Sequence, residues 1–108
     1  MTLEHFGRID HLINNAAIGT CAPLGELTES QIEQLVRINL TAPLLLTRLA
    51  LPHLSKQNGC VISIGSRAAI DPFPGLGTYG CTRVGLEDWH ATSRPVLRRA
   101  SFLVIPVR

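Results

Sequence analysis

Residues 60–64, Cys-Val-Ile-Ser-Ile, form a short, β-branched and almost wholly apolar run opened by the turn-forming pair Asn58-Gly59. This run constrains the fold more than any other stretch, because such a strand belongs in a parallel sheet whose helices bury it. The neighbouring sequence supplies both requirements. Upstream, residues 9–14 carry Leu12 and Ile13 into Asn14-Asn15-Ala16-Ala17, a second apolar strand that ends in polar and small residues. Between the two strands, Ile32, Leu35, Val36 and Leu40 recur at helical period, and the apolar pattern continues through Leu44, Leu45, Leu46, Leu49, Ala50, Leu51 and Leu54. The intervening residues 18–25, with Gly19, Pro23 and Gly25, read as loop.

The helical segment has a marked start and a marked fault. Thr28 and Gln31 stand at capping-box spacing, so the helix is expected to begin near residue 29 and, as one long helix or two abutting ones, to run to about residue 56. Pro43 falls inside it. Proline cannot donate to the carbonyl one turn back, so a kink or a change of helix geometry is expected near Asn39, freeing a backbone carbonyl there. Beyond residue 64, Pro72 and Pro74 keep the chain extended. A third helix is expected from about Thr78 through Val84, Leu86 and Trp89, ended by Pro95. Residues 100–107 read as a last buried strand stopped by Pro106. The alternation is βαβαβ, which implies one α/β domain: a truncated Rossmann-like parallel sheet of about three strands with flanking helices. Ligands of such sheets bind beyond the carboxyl ends of the strands, where Asn15 and Ser66 lie.

Composition narrows the function. A chain of 108 residues, 45% hydrophobic and 17% charged, suits a single buried α/β core. The net charge is only +2, and the basic tail of Arg94, Arg98, Arg99 and Arg108 has one aromatic, Phe102, rather than a series of stacking platforms, which argues against nucleic acid. Cys21, Cys60 and Cys81 fit neither a disulfide framework nor a zinc knuckle, and the four histidines show no ligand spacing, so no metal site is expected. No apolar run reaches the length of a membrane span, and no signal peptide opens the sequence, so the expected location is cytoplasmic, with no membrane partner.

The chemistry concentrates between Ser66 and Arg83. Tyr79 and Arg83 are four residues apart, so on one helix the phenol and the guanidinium share a face. A cation there favours the phenolate and suits the tyrosine to general acid/base work. A solvated surface pair is the alternative reading. Ser66, at the end of its strand, either caps a turn or returns to the same place.

These residues fall in a known order. Asn14-Asn15-Ala16-Ala17 resembles the Asn-Asn-Ala-Gly strand end of the short-chain dehydrogenase/reductase family, with Ala17 in place of Gly, and Arg37-Ile38-Asn39-Leu40-Thr41 resembles the segment that carries its helix-kink Asn. Ile64-Gly65-Ser66 resembles its Ile-Ser-Ser, and Tyr79-Gly80-Cys81-Thr82-Arg83 its Tyr-x-x-x-Lys motif, with Arg for Lys. The likeness runs from about Phe6 to Val107. It implies an NAD(P)-dependent oxidoreductase that interconverts a small-molecule carbonyl and alcohol by hydride transfer. Tyr79 would be the general acid/base, Ser66 would hydrogen-bond the reacting oxygen, and Asn39 would hold a relay water. Arg83 would bind the nicotinamide ribose beside Tyr79, and Asn15 and Ala16 would line the cofactor, NAD or NADP. The long helices would build a homo-oligomer.

The resemblance also sets what the 108 residues are expected to be: a partial dinucleotide-binding domain, residues 1–108, without the family's opening strand, Gly-rich turn and helix and without its substrate-binding region. An unpaired sheet edge and exposed apolar helix faces should result. The contrasting reading is a non-catalytic truncated piece that at most associates with another subunit. Gly75-x-Gly77-x-x-Gly80 has dinucleotide-fingerprint spacing but follows Asp71-Pro72-Phe73-Pro74 rather than a strand, so it reads as a loop ahead of the Tyr79 helix.

Overall fold

The computed structural model describes residues 1–93 and 101–107. The four tail arginines and the helix end expected at Pro95 lie outside the described residues. Three parallel strands in spatial order β1-β2-β3 form the sheet: β1 (His11–Asn14), β2 (Cys60–Ser66) and β3 (Ser101–Val107). His11 pairs with Cys60, and Cys60 with Ser101. Ser66 is thus the last residue of β2 rather than just beyond it. Pro106 lies inside β3, opposite Gly65, where it was expected to stop the strand. An edge strand tolerates a proline that a central strand would not.

The helical crossover between β1 and β2 follows the sequence closely. Helix α2 (Glu29–Val36) opens on the capping box: Gln31 N–H donates to Thr28 Oγ1 at 3.2 Å and Thr28 N–H donates to Gln31 Oε1 at 2.8 Å. A π turn over Arg37–Thr41 then joins it to α3 (Ala42–Leu54). Because Pro43 has no N–H for the carbonyl of Asn39, the ladder widens there, and Ala42 N–H reaches the carbonyl of Arg37 five residues back. Helix α4 (Gly77–Ser93) makes the second crossover. A short opening helix, α1 (Thr2–Phe6), had no counterpart in the sequence reading; Gly7, at φ 70°, ends it with its N–H on the carbonyl of Leu3.

Both crossover helices lie on the same face of the sheet. Asn14 and Ser63 are register partners and so point the same way. Asn14 Nδ2 donates to Thr47 Oγ1 of α3 at 3.2 Å, and Ser63 Oγ lies 3.1 Å from Nδ1 of His90 on α4. Ala50, Leu54 and Val61 form the apolar cluster on that face, with Leu12, Leu51 and Trp89 packed against it. Two right-handed crossovers progressing in one direction along a sheet require this arrangement. The opposite face is open among the described residues: Ile13, register partner of Ile62, is 58% exposed. The other edge of β1 pairs with no described strand.

The continuous helical run Glu29–Gln57, 29 residues, is long and apolar enough by length and composition to cross a bilayer, contrary to the sequence expectation. In the fold it carries the fully buried polar residues Asn39 and Thr47 and seats Leu54 on the sheet.

Asn58 takes a left-handed conformation (φ 50°), and Gly59 then brings the chain back into β2 at close range. A Cβ on Gly59 would stand 2.5 Å from the carbonyl oxygen of Asp10 and 2.9 Å from Leu54 Cδ2. That same carbonyl accepts the N–H of Cys60 at 3.0 Å, so it cannot retreat without loosening the start of the β1–β2 ladder. Gly59→Ala is expected to lower stability by about 1–3 kcal/mol, read from urea denaturation.

Candidate active site

At the carboxyl ends of β1 and β2, a cavity of about 510 Å³ is lined by Asn15, Ile64, Gly65, Ser66, Arg67, Ala68, Phe73, Leu76, Tyr79 and Arg83. Four residues singled out in the sequence, Asn15, Ser66, Tyr79 and Arg83, therefore meet on one space. Asn39 and Ala16 do not line it.

Ser66 arrives at the cavity because β2 ends there. Its Oγ accepts the N–H of Ala68 at 3.2 Å, capping the short turn Arg67–Ala69, so the turn-capping role and the cavity position coexist. Helix α4 comes close to this turn: a Cβ on Gly80 would sit 3.0 Å from the carbonyl oxygen of Ala68. Glycine directly after Tyr79 lets the tyrosine helix settle against the Ser66 loop.

Tyr79 and Arg83 share a face of α4, as their spacing requires. The guanidinium carbon lies 5.1 Å from the centroid of the Tyr79 ring, and Arg83 is only 5% exposed. Arg83 Nη1 donates to the carbonyl of Ile64 on β2 at 3.3 Å, while Nε has no partner among the described residues. This is a buried cation, not a solvated surface pair.

Asn39 occupies a different layer. Fully buried on the π turn, it clamps the loop after β1: Ile18 N–H donates to Asn39 Oδ1 at 2.9 Å, and Asn39 Nδ2 donates to Ile18 O at 2.8 Å. Asn39 Nδ2 also lies 3.3 Å from Thr82 Oγ1, and that hydroxyl donates to the carbonyl of Tyr79 at 2.7 Å. A chain of contacts thus runs from the loop after β1 through the π turn to the backbone of the tyrosine. Ala16 lines a separate pocket of about 60 Å³ with Ile13, Ile38, Pro43 and Leu46.

Thr82 is the residue that sequence reading passed over. Its only local signal is a small hydroxyl three positions after Tyr79, able to bond that carbonyl; its approach to Asn39 depends on the tertiary fold. Phe73 and Leu76, which give the cavity apolar lining, were read only as parts of a loop. Thr82→Val keeps the volume and removes both contacts. It is expected to lower stability by about 1 kcal/mol in urea denaturation, with Thr82→Ser close to the parent.

The charged groups lining the cavity are both cations. Arg67 is offset by Asp71, whose carboxylate it meets at 2.9 Å, and its guanidinium stands 5.7 Å from the centroid of the Phe73 ring. Gly75, at φ 78°, and Gly77 belong to the loop and the start of α4, with no strand directly before them, as expected for a plain loop.

Residues 1–104 match the family model described as short chain dehydrogenase. The protein "11-beta-hydroxysteroid dehydrogenase-like 4A" of Arabidopsis thaliana is 32% identical over 94 residues, which are 86% of this chain and 31% of that protein. A metagenomic short-chain oxidoreductase solved in complex with NADP superposes with a TM-score of 0.90 at 28% identity, over 97% of this chain and 49% of its own. The NADH-dependent reductase A1-R', complexed with NAD, superposes with a TM-score of 0.89 at 27% identity, over 96% of this chain and 47% of its own. The chain spans about a third of the length of the curated relatives it matches.

Proposed function

The chain belongs to the short-chain dehydrogenase family, and on that premise we propose that residues 1–108 are part of the dinucleotide-binding domain of an NAD(P)-dependent oxidoreductase that interconverts a small-molecule carbonyl and alcohol. The observation that carries the reading is the meeting of Ser66, Tyr79 and Arg83 on one cavity at the carboxyl ends of parallel strands. The cavity suits the nicotinamide end of a dinucleotide: Asn15 stands at its rim, Ile64 and Leu76 offer apolar lining, and Arg83 turns guanidinium donors toward hydroxyls or anions. Similar proteins solved with NADP and with NAD support a nicotinamide cofactor of either kind.

A nicotinamide cofactor held there by Asn15 and Arg83 would supply or accept the hydride. In the reducing direction, the Tyr79 phenol gives its proton to the carbonyl oxygen as negative charge develops on it, and takes it back in oxidation. Ser66 Oγ holds a hydrogen bond to the same oxygen, a fixed dipole where the charge grows. Arg83, stacked on the tyrosine ring, keeps positive charge beside the phenol in the step where a phenolate forms. The Asn39 amide is engaged by Ile18 and Thr82, so its part is to hold the π turn, whose backbone carbonyl would carry the relay water.

The test is oxidation of NADH and NADPH by the purified protein with a panel of aldehydes and ketones. Carbonyl-dependent oxidation is the expected result; none across the panel would count against the assignment. A second reading, a non-catalytic association module, is favoured by the apolar stripe on α3, where Leu45, Leu46 and Leu49 are 51%, 52% and 66% exposed. In either reading that stripe is where a homo-oligomer would form.

A further inference from the structure

We infer that the substrate is a carbonyl compound with an unbranched apolar arm, and that the arm lies in a second cavity, across Phe73 and Leu76 from the place of the reacting oxygen. The inference rests on the reading of Ser66 and Tyr79 as the groups that hold that oxygen. Residues Phe73-Pro74-Gly75-Leu76 form a β-turn with Pro74 and Gly75 (φ 78°) at its centre, closed by the Leu76 N–H on the Phe73 carbonyl at 3.1 Å. The turn is held from two sides. The Gly75 carbonyl accepts the N–H of Ala22 at 2.9 Å, and the Leu76 carbonyl accepts that of Gly80 at 2.7 Å. The Phe73 ring carries the Arg67 guanidinium 5.7 Å from its centroid, and Asp71 holds Arg67 in turn. Phe73 and Leu76 thus stand together as a fixed ridge. With Ala68 they line the active cavity on one side and, on the other, a second cavity of about 510 Å³. That cavity lies against α4, where Gly77, Gly80 and Gly85 leave the helix surface bare, with Pro72 and Val84 as apolar walls and no charged side chain in the lining. A Cβ on Gly77 would meet nothing within 4 Å, and Phe73 and Val84 are both exposed. One cavity therefore offers hydroxyls at Ser66 and Tyr79, and the other, continuous with it over the ridge, offers apolar contact. The ligand that suits both is amphiphilic, its carbonyl on the hydroxyls and its hydrocarbon end beyond Phe73.

Where a ligand lies at equilibrium can be read without cofactor or turnover. NMR titration of the isotope-labelled 108-residue chain with 2-butanone and with 2-octanone distinguishes the two cavities, through the amide of Gly65 for the active cavity and that of Gly85 for the second. The expected result is that 2-butanone shifts Gly65 alone, whereas 2-octanone shifts both and binds at least ~10-fold tighter, each buried methylene being worth about 4-fold. Gly77→Leu, which fills the open space, and Val84→Lys, which sets a charge at an exposed apolar wall, should each bring 2-octanone to within ~3-fold of 2-butanone. Neither should change 2-butanone binding, with folding checked by circular dichroism. Shifts at both glycines without carbonyl-dependent oxidation of NADH or NADPH would count against the catalytic reading and uphold the two-cavity ligand site. Binding of 2-octanone no tighter than that of 2-butanone, 2-octanone shifts confined to one of the two glycines, a gain that survives both variants, or no binding of either ketone would overturn it.

Discussion

Tyr79→Phe is expected to lower carbonyl turnover by ~10²–10⁴-fold, the usual contribution of a positioned acid/base group, while leaving cofactor affinity nearly unchanged. The phenylalanine ring keeps the stacking under the Arg83 guanidinium, 5.1 Å from its centroid, and its place in the cavity lining, so the cavity wall is preserved. Only the hydroxyl is lost. The loss should therefore appear in kcat rather than in KM for the nicotinamide, as for an interaction made chiefly in the transition state. A matched fall in cofactor binding would instead point to a structural role for Tyr79.

Asn39→Leu is expected to cost about 2–4 kcal/mol of stability, a large share of the ~5–15 kcal/mol that holds a domain of this size. Leucine fills a similar volume but orphans the N–H and the carbonyl of Ile18 together, both of which Asn39 satisfies at 2.9 and 2.8 Å, and it removes the donor facing Thr82. Asn39→Asp retains the acceptor for Ile18 N–H but sets a carboxylate oxygen against the Ile18 carbonyl at a fully buried position, so at neutral pH its cost should be at least as large and should fall as the pH is lowered and the carboxyl is protonated. Urea denaturation of the parent and both variants gives the ordering directly. Equal stability of Asn39→Leu and the parent would mean that the π turn is held by packing alone.

Much of this was legible in the residues because it is local. The Thr28–Gln31 box, the change of helix geometry that Pro43 forces at Asn39, the turn at Asn58-Gly59 and the shared face of Tyr79 and Arg83 all follow from spacings within one or two turns. What stayed hidden depends on which elements become neighbours. Nothing near Gly59 in sequence announces the carbonyl of Asp10, nothing near Thr82 announces Asn39, and nothing near His90 announces Ser63. The placement of α3 and α4 on one face of the sheet likewise depends on the strand order β1-β2-β3, which the alternation of elements leaves open. The sequence ends β2 two residues early, at Ile64 instead of Ser66, because strand ends carry weak signals. The family resemblance pointed to Arg83 as the cofactor's cation, but its 95% burial beside an unpaired Nε became visible only in the fold.

The central claim is that the cavity between Asn15, Ser66, Tyr79 and Arg83 receives the nicotinamide end of a dinucleotide. Titrating the 108-residue chain with NADH and with NADPH, while following nicotinamide fluorescence, tests it most directly. Saturable binding in the micromolar range, displaced by the oxidised cofactor and weakened by Arg83→Gln, is the expected result. A fluorescence response that never saturates for either cofactor would contradict it and leave the association module as the account of this chain.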